Sequence, residues 1–281
     1  MGILSIKTIG VDLYDMPLCA VNSDGDMLEK TNIHYILKDI TTVALYNETL
    51  DEIIDSKKYW GDFELTQALL KYTINNFRLK LMKPRILISV PYDISKGRFG
   101  ELYKRMIHEC VTQAGGKEEY LIENIYCASL GAKLPIEEQT KTWTLYSNEW
   151  CTYLFMTYNG AIVLAETIEK SYNEINIEEI ESTLKSMILK VPVSVSKLFP
   201  FLNLDRTEMY SLETNWLRPS EYKLYMIVPN SVKIKYGQWM KEYQLIYSDN
   251  YEKCIVEGLE YIIKEMNYIM KSKKKQKPRL E

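Results

Sequence analysis

Hydrophobic positions along this chain keep two different spacings, and the switches between them mark out its elements. Ser5–Asp12 alternates and then runs apolar, and Leu18–Val21 follows ahead of the turn-rich Asn22–Asp26, so the chain opens on antiparallel strands. Short strands are also predicted at Ile33–Leu37 and Thr42–Tyr46. From Phe63 to Met82 the spacing becomes helical, with Leu70, Ile74, Phe77 and Leu81 on one face, until Lys83-Pro84 stops it. Ile86–Val90 is a continuous apolar run closed by Pro91, as expected of a strand covered on both faces. The helical period returns over Ser95–Ala114, with Phe99, Leu102, Met106, Cys110 and Ala114 in one stripe. Gly115-Gly116 stands where a helix end calls for positive φ. Tyr120–Ile122 is a short strand, and strand, helix, strand in this order makes a parallel crossover unit.

The theme then restarts. Thr142–Tyr146, Tyr153–Thr157 and Ala161–Ile168 form a second meander with Asn159-Gly160 as a hairpin turn. Asn176, with Glu179 three residues on, starts a helix predicted to end near Lys190. Val191–Ser220 has no clear period. A strand at Tyr222–Val228, a helix at Val232–Met240, a strand at Gln244–Tyr247 and a helix at Tyr251–Met270 complete the pattern. Two halves that each begin with a meander and continue into crossover units predict an internally duplicated α/β body, divided at 1–140 and 141–270, with 271–281 a basic disordered tail.

Charge excludes one class of function. Thirty-five Lys plus Arg against 38 Asp plus Glu leave a net charge of −3, so the chain as a whole lacks the footprint of a nucleic-acid binder. Positive charge concentrates at Lys271, Lys273, Lys274, Lys275 and Lys277, a cluster suited to an anionic membrane surface. Five cysteines without a CxxC pair predict reduced thiols and a cytoplasmic setting. His34 and His108 keep no ligand spacing with each other or with cysteine, so no metal site is expected. Neither Gly-x-Gly-x-x-Gly nor Gly-x4-Gly-Lys-Ser/Thr occurs.

Ile9-Gly-Val-Asp12, Lys83–Pro91, Tyr120-Leu-Ile-Glu123, Leu130–Pro135 and Tyr158–Val163 follow one another in the order found in bacterial actins, and the chain resembles the MreB family across most of its length. The resemblance implies an actin-like (ribonuclease H-like) α/β fold of duplicated domains. It also implies a nucleotide held between the halves by glycine-rich turns whose backbone N–H groups face the phosphates. Only about one helix fits between Glu166 and Tyr222, so the outer subdomain of the second half is expected to be reduced or missing.

The positions that would grip nucleotide are changed. The first phosphate loop falls on Asp12-Leu13-Tyr14-Asp15, where Asp12 keeps a metal-site position, Tyr14 replaces a glycine and Asp15 adds a negative charge. The second loop falls on Leu145–Trp150, so Ser147, Asn148 and Glu149 stand where the family has glycines. The adenosine turn falls on Val228-Pro229-Asn230-Ser231, and Pro229 removes a backbone donor. The carboxylate that orients attacking water in the family falls at Asn124, beside Glu123. The expected function is a non-catalytic, cytoskeleton-related scaffold without cofactor, working through protein partners or self-assembly in the cytoplasm or at the inner membrane face. The alternatives are an ATP-binding filament protein of cell-shape control, with ATP or ADP and Mg, and a binding module with a repurposed cleft.

Overall fold

A computed structural model describes residues 7–13, 18–30, 62–77, 83–92, 97–138, 141–202, 223–240 and 244–276. The strands predicted at Ile33–Leu37 and Thr42–Tyr46 lie outside these residues, as do Tyr14 and Asp15. In chain order the first elements are β1 (Thr8–Asp12), β2 (Leu18–Asn22), β3 (Met27–Lys30), α1 (Phe63–Asn76), β4 (Arg85–Val90), α2 (Gly97–Ala114), β5 (Glu118–Glu123) and α3 (Asn124–Gly131). The same sequence of types follows as β6 (Thr142–Ser147), β7 (Thr152–Tyr158), β8 (Ala161–Ile168), α4 (Ile177–Leu202), β9 (Lys223–Ile227), α5 (Lys233–Trp239), β10 (Gln244–Tyr247) and α6 (Cys254–Gln276).

The duplication is visible in the sheets. One has the order β3-β2-β1-β4-β5 and the other β10-β9-β6-β7-β8. In each, three meandering antiparallel strands are extended by two parallel strands beside the first. Strands β1, β2, β6 and β7 are buried along their whole length, polar residues such as Thr8, Asp12, Thr144 and Thr157 included.

Local signals formed as expected. Asn159 and Gly160 both adopt positive φ, as a two-residue hairpin turn requires. Glu179 N–H donates to Asn176 Oδ1 (2.9 Å) and Asn176 N–H to Glu179 Oε2 (3.3 Å), closing the capping box of α4. Gly115 (φ +97°) ends α2, while Gly116 is needed for space, because a Cβ there would come within 2.5 Å of Val111 Cγ1.

Four expectations are corrected. On α2 the buried stripe is Tyr103, Ile107, Cys110, Val111 and Ala114, and Leu102 is 59% exposed. Both stripes satisfy the helical period and share Cys110 and Ala114, and Met106 is half-buried against the same core. Helix α4 continues to Leu202 rather than stopping near Lys190, because Pro192 removes one N–H without ending a helix anchored by buried Ile180, Leu184 and Met187. The basic segment expected to be disordered is helical to Gln276, since no Gly or Pro interrupts a helix already nucleated upstream.

The fourth concerns the division of the chain. The compact units are Met1–Cys127 with Ile255–Glu281, and Ala128–Cys254, so α6 belongs with the first meander instead of the second half. Two glycines explain it. A Cβ on Gly258 would lie 1.9 Å from the carbonyl oxygen of Cys127, and one on Gly10 of β1 would lie 2.8 Å from Leu259 Cβ. Backbone approach this close is open only to glycine.

At the outer side of the first unit His108 Nδ1 meets Glu119 Oε1 at 2.8 Å. The hydrogen bond to Glu119, with its charge, holds the imidazole above its ordinary range. Because the folded value is raised, the pair contributes stability fully below about pH 6.5, the usual unfolded value, and loses it as pH rises through the folded value. Glu119→Gln is expected to lower the His108 titration midpoint followed by NMR, and to differ from the parent in stability at pH 5.5 but not at pH 8.5.

Candidate functional site

In parallel sheets ligands bind beyond the carboxyl ends of the strands, and each unit has such an edge. In the first unit β1, β4 and β5 end together, with Asp12 beside Ser89 and Val90 beside Glu123. Asp12 is buried at 4% exposure. Burial pushes the Cys127 thiol well up, and the negative charges of Asp12 and Glu123 push it further, which places both carboxylates near the start of α3. Asn124 is buried too, and its Oδ1 accepts the Ile125 N–H at 2.8 Å. The side chain that stands in for a water-orienting carboxylate therefore spends an acceptor on its own helix. Ser89 Oγ is buried and has no hydrogen-bond partner among the described residues.

In the second unit the β6–β7 turn and the turn after β9 share an edge, because Tyr146 pairs with Ile227. Ser147 and Asn148–Glu149 thus stand at the same sheet edge as Pro229–Ser231. Their side chains do different things. Ser147 is fully buried, and its hydroxyl lies 2.5 Å from Thr152 Oγ1, which itself donates to the Lys170 carbonyl at 2.9 Å. Burial pushes the Tyr236 phenol up to about 12. Ser147 is turned inward.

Asn148 organises the turn. Its Oδ1 accepts the N–H groups of Trp150 and Cys151, each at 2.9 Å, and its own N–H donates to the Cys151 carbonyl at 3.0 Å. Its carbonyl accepts the Tyr172 N–H at 3.1 Å. Neither Glu149 nor Trp150 is among the residues with positive φ, so this turn closes through a side-chain amide instead of the primed geometry used at Asn159-Gly160. Glu149 is exposed, and after burial its charge is the next influence raising the Tyr172 phenol. Beyond β9, Val228 and Pro229 are buried, Asn230 and Ser231 are exposed, and Val232 N–H closes a tight turn on the Pro229 carbonyl at 3.1 Å.

A phosphate held by a turn needs several backbone N–H groups pointing at it. Two in the β6–β7 turn are already donated to Asn148, and the neighbouring Glu149 carries negative charge. Among the described residues no three His, Cys, Asp or Glu side chains gather in a way that could hold a metal.

Sequence spacing gave no hint of two lysines at this edge. Lys233 Nζ donates to the Ser248 carbonyl at 2.9 Å. Lys235 Nζ donates to the carbonyls of Asn173 (3.2 Å) and Ile175 (3.4 Å), pinning the segment that carries Tyr172. The Lys233 partner lies 15 residues away in the chain and the Lys235 partners 62 and 60, beyond any local motif.

The two sheets, each a meander extended by parallel strands, are the architecture of actin-like proteins, and residues 60–195 match the family model described as MreB/Mbl protein. Over that segment the chain is similar to the MreB/Mbl family. Relatives of this MreB-like chain include the cell shape-determining protein Mbl of Bacillus cereus, 30% identical over 120 residues, which are 42% of this chain and 34% of that protein. The cell shape-determining protein MreB of Pasteurella multocida is 27% identical over 134 residues, 46% of this chain and 37% of that one. The matched segment thus spans about a third of the length of these curated relatives. Among solved structures, MreB5 of Spiroplasma citri bound to ADP superposes with a TM-score of 0.59 at 14% identity, covering 95% of this chain and 99% of that one. Apo ParM of pSK41 gives 0.52 at 10% identity, with 95% and 99% covered. At these identities the superpositions carry the fold alone.

Proposed function

We propose that this protein is an actin-like scaffold that assembles, with itself or with protein partners, without an ATP cycle. The observation that carries the reading is the β6–β7 turn, where the Trp150 and Cys151 N–H groups are donated to Asn148 Oδ1 and no glycine is present. Tyr14, Asp15, Glu149 and Pro229 support it from sequence, each changing a position that the family uses for phosphate or adenosine. The competing reading is an ATP-binding filament protein of cell-shape control. It is favoured by Asp12, kept at the end of β1, and by the ADP in the MreB5 structure, a property of that protein.

On this reading the assembly works at the inner membrane face. Helix α6 carries Lys271, Lys273, Lys274 and Lys275 after exposed Tyr268 and Ile269, and each lysine near an anionic bilayer is worth about 1 kcal/mol. Among the described residues no helix is long and apolar enough to cross a membrane, so such contact is peripheral. Sedimentation tests both parts. The pelleted fraction is expected to be the same with and without Mg-ATP, and to rise with anionic vesicles unless residues 271–279 are deleted. Pelleting only with Mg-ATP contradicts the scaffold, and vesicle recruitment unchanged by the deletion contradicts the membrane contact.

A further inference from the structure

We infer that the Asn148 side chain is an internal substitute for an anion, holding the β6–β7 turn in a closed, donor-inward form that an external ligand would otherwise have to impose. The inference rests on the scaffold reading and adds the device by which that state is kept. A free turn of this kind has converging backbone N–H groups that attract an anion. In this one a single amide oxygen sits at the point of convergence, 2.9 Å from the N–H of Trp150 and 2.9 Å from that of Cys151.

Asn148 is fixed from outside the turn as well. It is 5% exposed, and its carbonyl takes the Tyr172 N–H. The segment carrying Tyr172 is held by Ser171, whose N–H and hydroxyl both donate to Glu174 Oε2, at 3.1 and 3.0 Å, and by the Lys235 ammonium on the Asn173 and Ile175 carbonyls. Two segments distant in the chain thus fix the main chain of Asn148, and the turn's own N–H groups hold its carboxamide oxygen. A neutral oxygen in this seat satisfies the donors without charge. Glu149 next to it disfavours an incoming anion that would compete.

The role predicted for Asn148 is positional, and the acceptor oxygen is the part that matters. Amide hydrogen exchange on the intact protein tests it, with inorganic phosphate as the probe. In the parent, the Trp150 and Cys151 amides are expected to exchange slowly and to keep their NMR shifts when phosphate is added. In Asn148→Ala they are expected to exchange about fivefold faster, as the loss of a hydrogen bond near 1 kcal/mol implies. In the double variant Asn148→Ala with Glu149→Gln the same two amides are expected to shift saturably with phosphate. Asn148→Asp keeps an acceptor oxygen and is expected to keep the slow exchange, which separates loss of the acceptor from general damage to the turn.

Fast exchange in the parent, slow exchange in Asn148→Ala, fast exchange in Asn148→Asp, or no phosphate response in the double variant would each overturn the inference. None of these results restores nucleotide binding to the parent, so the scaffold reading stands or falls separately. It fails instead on Mg-ATP binding by the parent, whatever the Asn148 variants do.

Discussion

Gly258→Ala is expected to destabilise the first unit by about 3 kcal/mol or more, at the upper end of overpacking effects. The added methyl would sit 1.9 Å from the carbonyl oxygen of Cys127, 2.6 Å from its carbonyl carbon and 2.9 Å from its Cα. All three are backbone atoms, so no side chain can swing aside, and α6 would have to lift from the start of α3. That shift would also loosen Leu259 and Ile263 over Gly10 of β1, where the helix covers the sheet. Urea unfolding together with amide exchange in β1 measures the loss. Gly237→Ala is the control, because its new Cβ would meet only the Tyr247 hydroxyl, at 3.4 Å, and alanine favours the helix by up to about 1 kcal/mol. Equal stability of Gly258→Ala and the parent would remove α6 from the first unit.

This contact also shows where sequence reading stops. Features closed within a few residues were legible: the Asn159-Gly160 turn, the Asn176–Glu179 capping box and the glycine end of α2. Each is written by a local spacing and a conformational need that one residue type meets. Helix α3 was not legible, because Ile125, Cys127, Ala128 and Ser129 are all fully buried and leave no polar face to set a period. The membership of α6 was hidden for a different reason. Its periodicity shows that one face is buried but not which sheet buries it, and the deciding partners, Gly10 and Cys127, lie well over a hundred residues away.

The candidate site divides along the same line. That Ser147, Asn148 and Glu149 replace glycines could be read from the resemblance, and so could the positions of Pro229, Asn230 and Ser231. That Ser147 turns inward to Thr152, that Asn148 takes two backbone donors, and that Lys235 pins the neighbouring segment depend on partners brought together by the sheet. In sequence Asn148 shows only as a residue standing where the family has glycine. The structure gives it an occupied hydrogen-bonding role.

Mg-ATP is expected to leave the parent protein unsaturated even at millimolar concentration. A phosphate cradle gains roughly 1.5–3 kcal/mol for each hydrogen bond to the charged ligand. Withdrawal of the Trp150 and Cys151 donors removes two such bonds. The Glu149 carboxylate adds about 1 kcal/mol of repulsion in water at 4 Å, and more at lower dielectric. Together these losses weaken binding by roughly a thousandfold or more, since each 1.4 kcal/mol is a factor of ten. Asp12 does not recover them, because a single metal-linked carboxylate supplies no donor to phosphate.

Isothermal titration of the full chain with Mg-ATP, and in parallel with Mg-ADP, measures this directly. The account predicts only heats of dilution for both nucleotides. A saturable one-site isotherm in the low micromolar range would contradict it.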